Sequence, residues 1–250
     1  MSTVDFDPSL LGTKDHWDQR YSEELAHFYE SGLEGEAWFG DEPVLKMVEW
    51  ALTHLPPTAC PNVLDVGTGN GHLLFAMVDA GYDASRLTGI DYSRGSVDLS
   101  IAIAKQRDVQ DEGKYTYANV TFAVCDFLDP ASSIRRPSAD VDEVRTETND
   151  GIWDLVLDKG TFDAMSLMDE DERGTVSLER YVPRVVRLLR SGGHFLITSC
   201  NFTKDELIQR IATRGSGLEY KGSIPYKTFT FGGKSGSSYA TVAFQKQSVS

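Results

Sequence analysis

The stretch from Val63 to Gly71, Val-Leu-Asp-Val-Gly-Thr-Gly-Asn-Gly, most constrains what this chain can fold into. A short apolar run stops at glycines 67, 69 and 71, and His72 to Val78 follows with helical character. Glycine lacks a Cβ atom and tolerates positive φ, so such a turn lets the backbone approach a ligand closely. The following helix directs its N-terminal N–H groups to the same place. The pattern therefore predicts a strand, a tight turn and a helix that bind a nucleotide-like ligand.

Further apolar runs alternate with helical stretches along the rest of the chain. The predicted strands after the first one cover residues 87–91, 120–127, 152–158 and 194–201. Residues 227–231 and 238–244, on either side of a glycine-rich turn, predict a C-terminal antiparallel β-hairpin. Strands that alternate with helices are typical of a Rossmann-like, doubly wound α/β sheet. We therefore predict a three-layer αβα sandwich that ends in this hairpin.

Three successive predicted strands end in an aspartate: Asp65, Asp91 and Asp126. Asp91 lies 20 residues after Gly71, where a carboxylate can accept hydrogen bonds from ribose hydroxyls. Asp126 is placed to accept from an adenine amino group while Phe127 flanks the ring; a turn or capping role for Asp126 fits its local context equally well. The series predicts a nucleoside ligand, and Asp91 alone does not distinguish a dinucleotide from another nucleoside cofactor.

The glycine spacing in this chain is G-x-G-x-G, whereas the dinucleotide-binding pattern is G-x-G-x-x-G. The stretch resembles motif I of the seven-strand methyltransferases that use S-adenosyl-L-methionine (AdoMet). This resemblance implies a seven-stranded sheet and AdoMet as the cofactor. The candidate cofactor-binding residues are Trp17, Asp65, Gly67, Thr68, Gly69, Asn70, Gly71, Asp91, Tyr92, Cys125, Asp126, Phe127 and Asp158.

The segment before the glycine-rich turn is predicted to be helical. Residues 15–31 place Trp17, Tyr21 and other apolar side chains on one face of a helix, and a second helix starts near Asp41 and ends before Pro56. We predict that residues 1–55 form an N-terminal extension that covers the cofactor and substrate site, although plain core packing explains the aromatic face equally well. Residues 56–250 then form the methyltransferase domain, with the polar, aperiodic stretch 130–150 as a surface insertion loop.

The loop from Asp158 to Ala164 follows the fourth strand and is expected to face the reacting group. We predict that Asp158 orients an acceptor amine or contacts the methionine part of AdoMet, and that Phe162 offers its ring to the acceptor in the transfer step. The alternative is that Asp158 only caps the 159–164 turn. Aromatic rings bind ammonium groups, and burial against them lowers the pKa of a lysine. The candidate substrate-binding residues are Trp38, Phe39, Phe162 and Tyr226.

Composition restricts the partners. A formal net charge of −14 repels phosphate backbones and anionic membranes and attracts basic partners, so we expect no nucleic acid and no membrane. Three widely spaced cysteines predict reduced core thiols without disulfides or metal ligands. With no signal-peptide pattern at the start, we expect a protein of the cytoplasm, and also of the nucleus. We also expect a monomer.

Several sequence blocks together resemble the protein-lysine methyltransferases of translation elongation factor 1-alpha. They are 11–17, 38–40, 64–71, 89–93, 158–164, 196–201 and 231–236. The resemblance implies a cytoplasmic enzyme that mono- or dimethylates a lysine of that factor. Other hypotheses remain open on the residues: a small-molecule methyltransferase, a non-catalytic AdoMet-binding scaffold, and a nicotinamide oxidoreductase, which the glycine spacing disfavours.

Overall fold

The structure, a computed structural model, describes residues 9–129, 131, 132, 134, 151–168, 177–231 and 234–248. Nine strands are formed by these residues: β1 Val63–Val66, β2 Leu87–Asp91, β3 Thr121–Val124, β4 Trp153–Lys159, β5 Leu189–Ser199, β6 Leu218–Ile224, β7 Thr228–Phe231, β8 Lys234–Ser237 and β9 Ala240–Lys246. Seven of them form one sheet in the order β3-β2-β1-β4-β5-β9-β6. The predicted seven-stranded sheet is confirmed.

The helices among the described residues are α1 Lys14–Ser31, α2 Asp41–His54, α3 His72–Asp79, α4 Arg94–Gln110, α5 Thr161–Met165, α6 Ser177–Leu188 and α7 Lys204–Ile211. Successive side chains of a strand point to opposite faces of the sheet. Accordingly Val63 of β1 belongs to the apolar cluster that α2, α3 and α4 cover, whereas Leu64 and Val66 belong to the cluster beneath α6 and α7. Helices on both faces confirm the doubly wound, three-layer prediction.

The C-terminal strands differ from the predicted hairpin. β7 pairs with β8 in a separate two-stranded sheet, and the predicted partner of β7, the stretch 238–244, instead forms most of β9. β9 lies antiparallel between β5 and β6 in the main sheet. The main sheet therefore ends in antiparallel strands as predicted, but β6 supplies the neighbour that the sequence did not reveal.

The strand order reverses direction between β1 and β4. β1 lies beside β2 on one side and β4 on the other, and all three run parallel. In open α/β sheets ligands bind outside the carboxyl ends of the strands at such a switch point. The fold thus places the glycine-rich turn after β1 and the loop after β4 side by side, where the site was expected.

The loop 130–150 and the cysteines were also the subject of predictions. The predicted insertion loop 130–150 lies outside the described residues except for 131, 132 and 134. All three cysteines are free, but only Cys125 is buried, so the prediction of core thiols is wrong for Cys60 and Cys200. Within the described ranges, no helix is long and apolar enough to cross a membrane, and no cluster of His, Cys, Asp or Glu is arranged to hold a metal ion.

Candidate functional site

A cavity of about 480 Å³ opens at the carboxyl ends of β1 to β4. This volume is in the range of pockets that bind small molecules and cofactors. Its described wall consists of Gly12, Lys14, Trp17, Tyr21, Glu36, Trp38, Val66, Gly67, Thr68, Gly69, Asn70, Ile90, Asp91, Tyr92, Cys125, Asp126, Phe127, Leu128, Asp129, Lys159, Gly160, Thr161, Ala164, Met165, Met168 and Arg180. The cavity therefore combines the ends of four strands with side chains from α1 and from the segment between α1 and α2.

The glycine-rich turn forms the floor of this cavity in a conformation that requires glycine. Gly69 has a φ of 58°, and a Cβ atom at this position would come within 2.7 Å of the Tyr21 hydroxyl. The hydroxyls of Ser96 and Ser100 on α4 donate to the Gly69 carbonyl at 2.7 and 2.8 Å, which fixes the turn from below. The backbone can thus approach a ligand closely at a position that the structure holds rigid.

Asp91 ends β2 on the cavity wall. Its two carboxylate oxygens accept backbone N–H groups from Gly69, at 3.1 Å, and from Ser93, at 2.9 Å. Burial raises the pKa of Asp91 to about 6, although these two backbone donors oppose the shift. Because a carboxylate offers about four acceptor positions, Asp91 retains capacity for hydroxyl donors of a ligand.

The residues after β3 form the next part of the wall. Asp126 is exposed, and its Oδ1 accepts the backbone N–H of Leu128 at 2.9 Å, so it also shapes its own turn. Phe127 is buried, with its ring centroid 5.1 Å from that of Tyr181. Cys125 donates its backbone N–H to the carbonyl of Asp91, which joins this stretch to the end of β2.

These residues fit a nucleoside cofactor that carries a positive charge. The wall offers apolar surface from Ile90, Phe127 and Trp17, together with the carboxylates of Asp91 and Asp126. The N-terminus of α3 follows the glycine-rich turn directly. A cofactor with an aromatic base, ribose hydroxyls and a sulfonium group finds apolar, acceptor and anionic groups here, which is the set that AdoMet requires.

Three of the predicted cofactor residues are absent from the described wall: Asp65, Gly71 and Asp158. Burial raises the pKa of Asp65 to about 7, and the charge of Lys159 opposes this shift. Asp158 is fully buried, where it accepts the backbone N–H groups of Thr161 and Phe162 and the hydroxyl of Tyr181. The structure therefore places Asp158 as the cap of the 159–164 turn, which corrects the expectation that it faces the ligand.

Phe162 also lies elsewhere than expected. Its side chain is only 1 % exposed, and its ring packs 5.0 Å from that of Tyr181 and 5.3 Å from that of Phe202. Its neighbours Gly160, Thr161, Ala164 and Met165 belong to the described wall, and Phe162 does not. A ring held inside the core cannot offer its face to an acceptor, so the predicted role of Phe162 in the transfer step has no support in this geometry.

The helix α1 and the chain after it close one side of the cavity. Trp17 donates from its indole Nε1 to the Leu11 carbonyl at 2.7 Å, and its ring stacks on Tyr21 with centroids 6.0 Å apart. Trp38 packs edge-on against the Trp17 ring, with the two ring centroids 5.2 Å apart, and is 37 % exposed. The N-terminal aromatics thus contribute to the cavity wall and also pack against one another.

The connecting segment, residues 32–40, is tied to the protein at several points. Asn70 of the glycine-rich turn donates its side-chain amide to the Glu34 carbonyl at 3.0 Å. Arg107 of α4 holds the Glu34 carboxylate through two hydrogen bonds of 2.7 and 2.6 Å. At the far end, Lys159 Nζ donates to the Trp38 carbonyl at 2.7 Å. These bonds hold the segment in place, and two of its residues, Glu36 and Trp38, line the cavity.

Lys159 is a residue of the site that the sequence did not reveal. It follows Asp158 at the end of β4, and because side chains alternate along a strand, it points to the cavity while Asp158 points to the core. Burial lowers the pKa of Lys159, and the charges of Asp65 and Asp158 oppose the shift. In the sequence, a lysine next to an aspartate at a strand end gives no sign that it is the inward-facing member of the pair.

The remaining substrate candidates, Phe39 and Tyr226, lie beside the cavity and not on its described wall. Phe39 packs against Gly160, since a Cβ atom there would come within 2.9 Å of the Phe39 ring. A third ring, Tyr239, lies between them, with its centroid 5.3 Å from Phe39 and 5.7 Å from Tyr226. Tyr239 was not among the predicted residues, because the sequence does not show that the start of β9 lies beside Phe39.

Comparison with known proteins gives matches over most of the chain. Residues 59–233 match the Methyltransferase domain family. EEF1A lysine methyltransferase 2 from Mus musculus is 37 % identical over 98 % of this chain and 88 % of its own length. The protein-lysine N-methyltransferase efm4 from Schizosaccharomyces pombe is 38 % identical over 95 % of this chain and 94 % of its own length.

A solved structure shares the fold at much lower sequence identity. The N-methyltransferase NodS from Bradyrhizobium japonicum WM9, in complex with S-adenosyl-L-homocysteine, superposes with a TM-score of 0.55 and 15 % identity. The match covers 92 % of this chain and 98 % of NodS. It supports the architecture of the sheet and its helices.

Proposed function

Because this chain belongs to the methyltransferase family that includes EEF1A lysine methyltransferase 2 and efm4, we propose that it methylates a lysine of translation elongation factor 1-alpha. The observation that carries the proposal is the similarity to these relatives over nearly the whole length of both chains. Bound AdoMet would supply a methyl group on a sulfonium: a neutral amine forms a bond to the methyl carbon as the carbon–sulfur bond breaks and S-adenosyl-L-homocysteine leaves. The chain must then bind this cofactor, exclude water and hold the acceptor amine in its neutral form.

The cofactor side of the cavity has the residues for the first task. Asp91 would accept the ribose hydroxyls, and the backbone of the turn at Gly67, Gly69 and Asn70, which lines the same cavity, would bind another part of the cofactor. Asp126 and Phe127 lie where the base is expected, at the end of the neighbouring strand β3. The carboxylates also offset the sulfonium charge, so that cofactor binding leaves no uncompensated cation in a half-enclosed site.

The acceptor side is formed by aromatic groups and by Lys159. Trp38 lines the cavity, and Lys159 holds the connecting segment in place at the Trp38 carbonyl. Partial burial against such surfaces favours the uncharged form of an amine. No general base has to be placed on the wall, because a neutral amine attacks without losing a proton, and the methylammonium group that results can lose its proton to solvent afterwards.

We further propose that the enzyme acts as a monomer in the cytoplasm or nucleus. The formal net charge of −14 favours encounter with a basic protein and supports a folded, basic acceptor in place of a nucleic acid. The same charge opposes self-association of two copies. Mono- and dimethylation remain the predicted products.

The experiment that tests the proposal uses elongation factor 1-alpha isolated from cells without this activity. The factor is incubated with AdoMet and the purified chain, and its lysines are analysed by mass spectrometry. We expect one lysine to gain one or two methyl groups. An unmodified factor would overturn the proposal, and methyl transfer in a parallel incubation with the metabolite fraction of the same cells would show that the acceptor is a small molecule.

Asp91→Ala is the matched variant for the cofactor side. The loss of a charge-assisted acceptor costs on the order of 2–4 kcal/mol, so we expect AdoMet affinity to fall by at least about thirtyfold. Calorimetry measures this directly, and methylation should fall in parallel at limiting AdoMet. If Asp91→Ala binds AdoMet as tightly as the unaltered chain, the ribose role of Asp91 is wrong.

A further inference from the structure

The rings of Phe39, Tyr226 and Tyr239 form an acceptor cluster beside the cavity. Each of the three residues is partly exposed, and the rings contact one another. Tyr239 is the central member, since its ring contacts both of the others. The cluster thus presents a continuous aromatic surface that comes from two distant parts of the sequence.

Hydrogen bonds attach this cluster to the end of the main sheet. The Tyr226 hydroxyl lies 2.7 Å from Thr241 Oγ1, and Thr241 Oγ1 lies 2.7 Å from Thr198 Oγ1. Thr198 of β5 accepts the backbone N–H of Gly160 at 3.0 Å. The position of the rings is therefore coupled to the strand ends that border the cavity.

Gly160 is the point at which the cluster meets the cavity. It lines the cavity, has a φ of 90°, and is crossed closely by two aromatic side chains. A Cβ atom at this position would come within 2.9 Å of the Phe39 ring and 3.1 Å of the Trp38 ring. The missing side chain lets the Phe39 and Trp38 rings pack directly against the backbone at the cavity wall.

The chain's own lysines show which groups these rings accept. Lys46 Nζ lies 5.0 Å from the centroid of Tyr226, and Lys159 Nζ lies 5.7 Å from that of Phe39. Both distances are within the range of a cation–π interaction. Tyr239, between these two rings, has no described cation over its face and is free to receive one from another molecule.

We propose that Tyr239 is a specificity-determining residue, whose ring receives the lysine-bearing segment of the protein acceptor beside the cavity wall at Gly160. The inference rests on the proposed lysine methyltransferase function and extends it to a surface outside the cofactor cavity. The occupant is a basic segment of a folded protein, because the rings accept ammonium groups and the whole chain carries a charge of −14.

Steady-state kinetics of three variants with elongation factor 1-alpha and AdoMet test this role. Tyr239→Leu removes the ring, and we expect the KM for the protein acceptor to rise about tenfold while AdoMet affinity stays within about twofold. Tyr239→Phe keeps the ring and should retain the KM of the unaltered chain. Tyr220→Leu, at a tyrosine that is 42 % exposed on β6, is the matched control and should also leave the KM unchanged.

Each outcome bears on one of the two proposals. If the unaltered chain methylates the factor but Tyr239→Leu keeps its KM, the role of Tyr239 is overturned and the proposed function stands. If the unaltered chain does not methylate the factor, both are overturned. AdoMet affinity reports on folding, and should Tyr239→Leu fail to fold, Phe39→Leu removes the adjoining ring and must raise the KM in the same way; an unchanged KM there overturns the inference.

Discussion

Phe162 packs as a core residue, although its place in the loop after β4 suggested a role in chemistry. Its ring lies between Tyr181 and Phe202 in the apolar cluster beneath α6 and α7. Truncation of a buried phenylalanine leaves a cavity, so we expect Phe162→Ala to lower the free energy of unfolding by about 3–5 kcal/mol. Urea denaturation measures this loss, and Phe162→Leu serves as the milder control. Full stability with strongly reduced turnover would instead restore the catalytic hypothesis.

Asp158 gives a prediction about pH. Burial raises its pKa to about 7, whereas a carboxyl group in the unfolded chain titrates near 4. Between these values the native state binds more protons than the unfolded state, so the free energy of unfolding falls as the pH rises through this window. Asp158→Asn cannot titrate and should therefore show a smaller fall.

Urea midpoints measured at about pH 5 and about pH 7.5 test this prediction, since these two pH values lie on either side of most of the Asp158 titration. Asp65 and Asp91 also have pKa values raised by burial, to about 7 and about 6, so the variant should retain part of the dependence. An equal fall in stability for both proteins would show that Asp158 is not protonated in this range.

The sequence predicted where the polar residues of the site lie but not which way each one points. The aspartates at strand ends were placed correctly along the chain, and Asp91 and Asp126 do line the cavity. Side chains alternate across a strand, so a shift of one residue exchanges core for cavity. For this reason the sequence suggests that Asp158 faces the ligand and gives no role to Lys159. Which of the two side chains faces the cavity depends on the exact residue at which β4 ends, and the local sequence pattern does not determine that residue.

At the scale of elements, the connecting segment 32–40 joins the cofactor side of the cavity to the acceptor side. Asn70 holds it at Glu34 and Lys159 holds it at Trp38. Lys159→Met removes the second bond, and we expect faster hydrogen exchange in residues 37–40. Since a hydrogen bond from a charged donor is worth about 1.5–3 kcal/mol, we expect kcat/KM for the protein acceptor to fall about tenfold.

Lys221→Met is the matched control for this change. Lys221 is an exposed lysine on β6 that pairs with Glu219, and surface ion pairs of this kind contribute little. Exchange by mass spectrometry and steady-state kinetics are measured on both variants. The positioning role of Lys159 is contradicted if its variant exchanges and turns over like the Lys221 variant.

The strands near the C-terminus show why element patterns alone did not give the full sheet. β6, Leu218–Ile224, is an edge strand with few buried residues, so it lacks the apolar run that reveals a central strand. β9 is buried along most of its length because it lies between β5 and β6. Its pairing depends on long-range topology, whereas the parallel β1 to β4 were each recognisable from an apolar run and the turn that follows it.

For the molecule as a whole, the sheet order and the charge act together. The order β3-β2-β1-β4 gathers four strand ends at one cavity, and the acceptor cluster lies beside that cavity, next to Gly160. The chain as a whole carries a formal net charge of −14. A basic protein acceptor is therefore attracted over a distance before it makes any specific contact, because long-range charge complementarity accelerates encounter more than it strengthens the final complex.

This attraction predicts a salt dependence that separates encounter from cofactor binding. Screening shortens the reach of surface charges to about 8–10 Å near physiological ionic strength, so the association rate with elongation factor 1-alpha should fall by about tenfold between low and moderate salt. AdoMet affinity depends on contacts inside the cavity and should change much less. Stopped-flow mixing measures the first quantity and calorimetry the second. Association rates that stay constant as salt rises would show that the acidic surface does not guide the acceptor, and an equal loss of AdoMet affinity would assign the salt effect to the cavity itself.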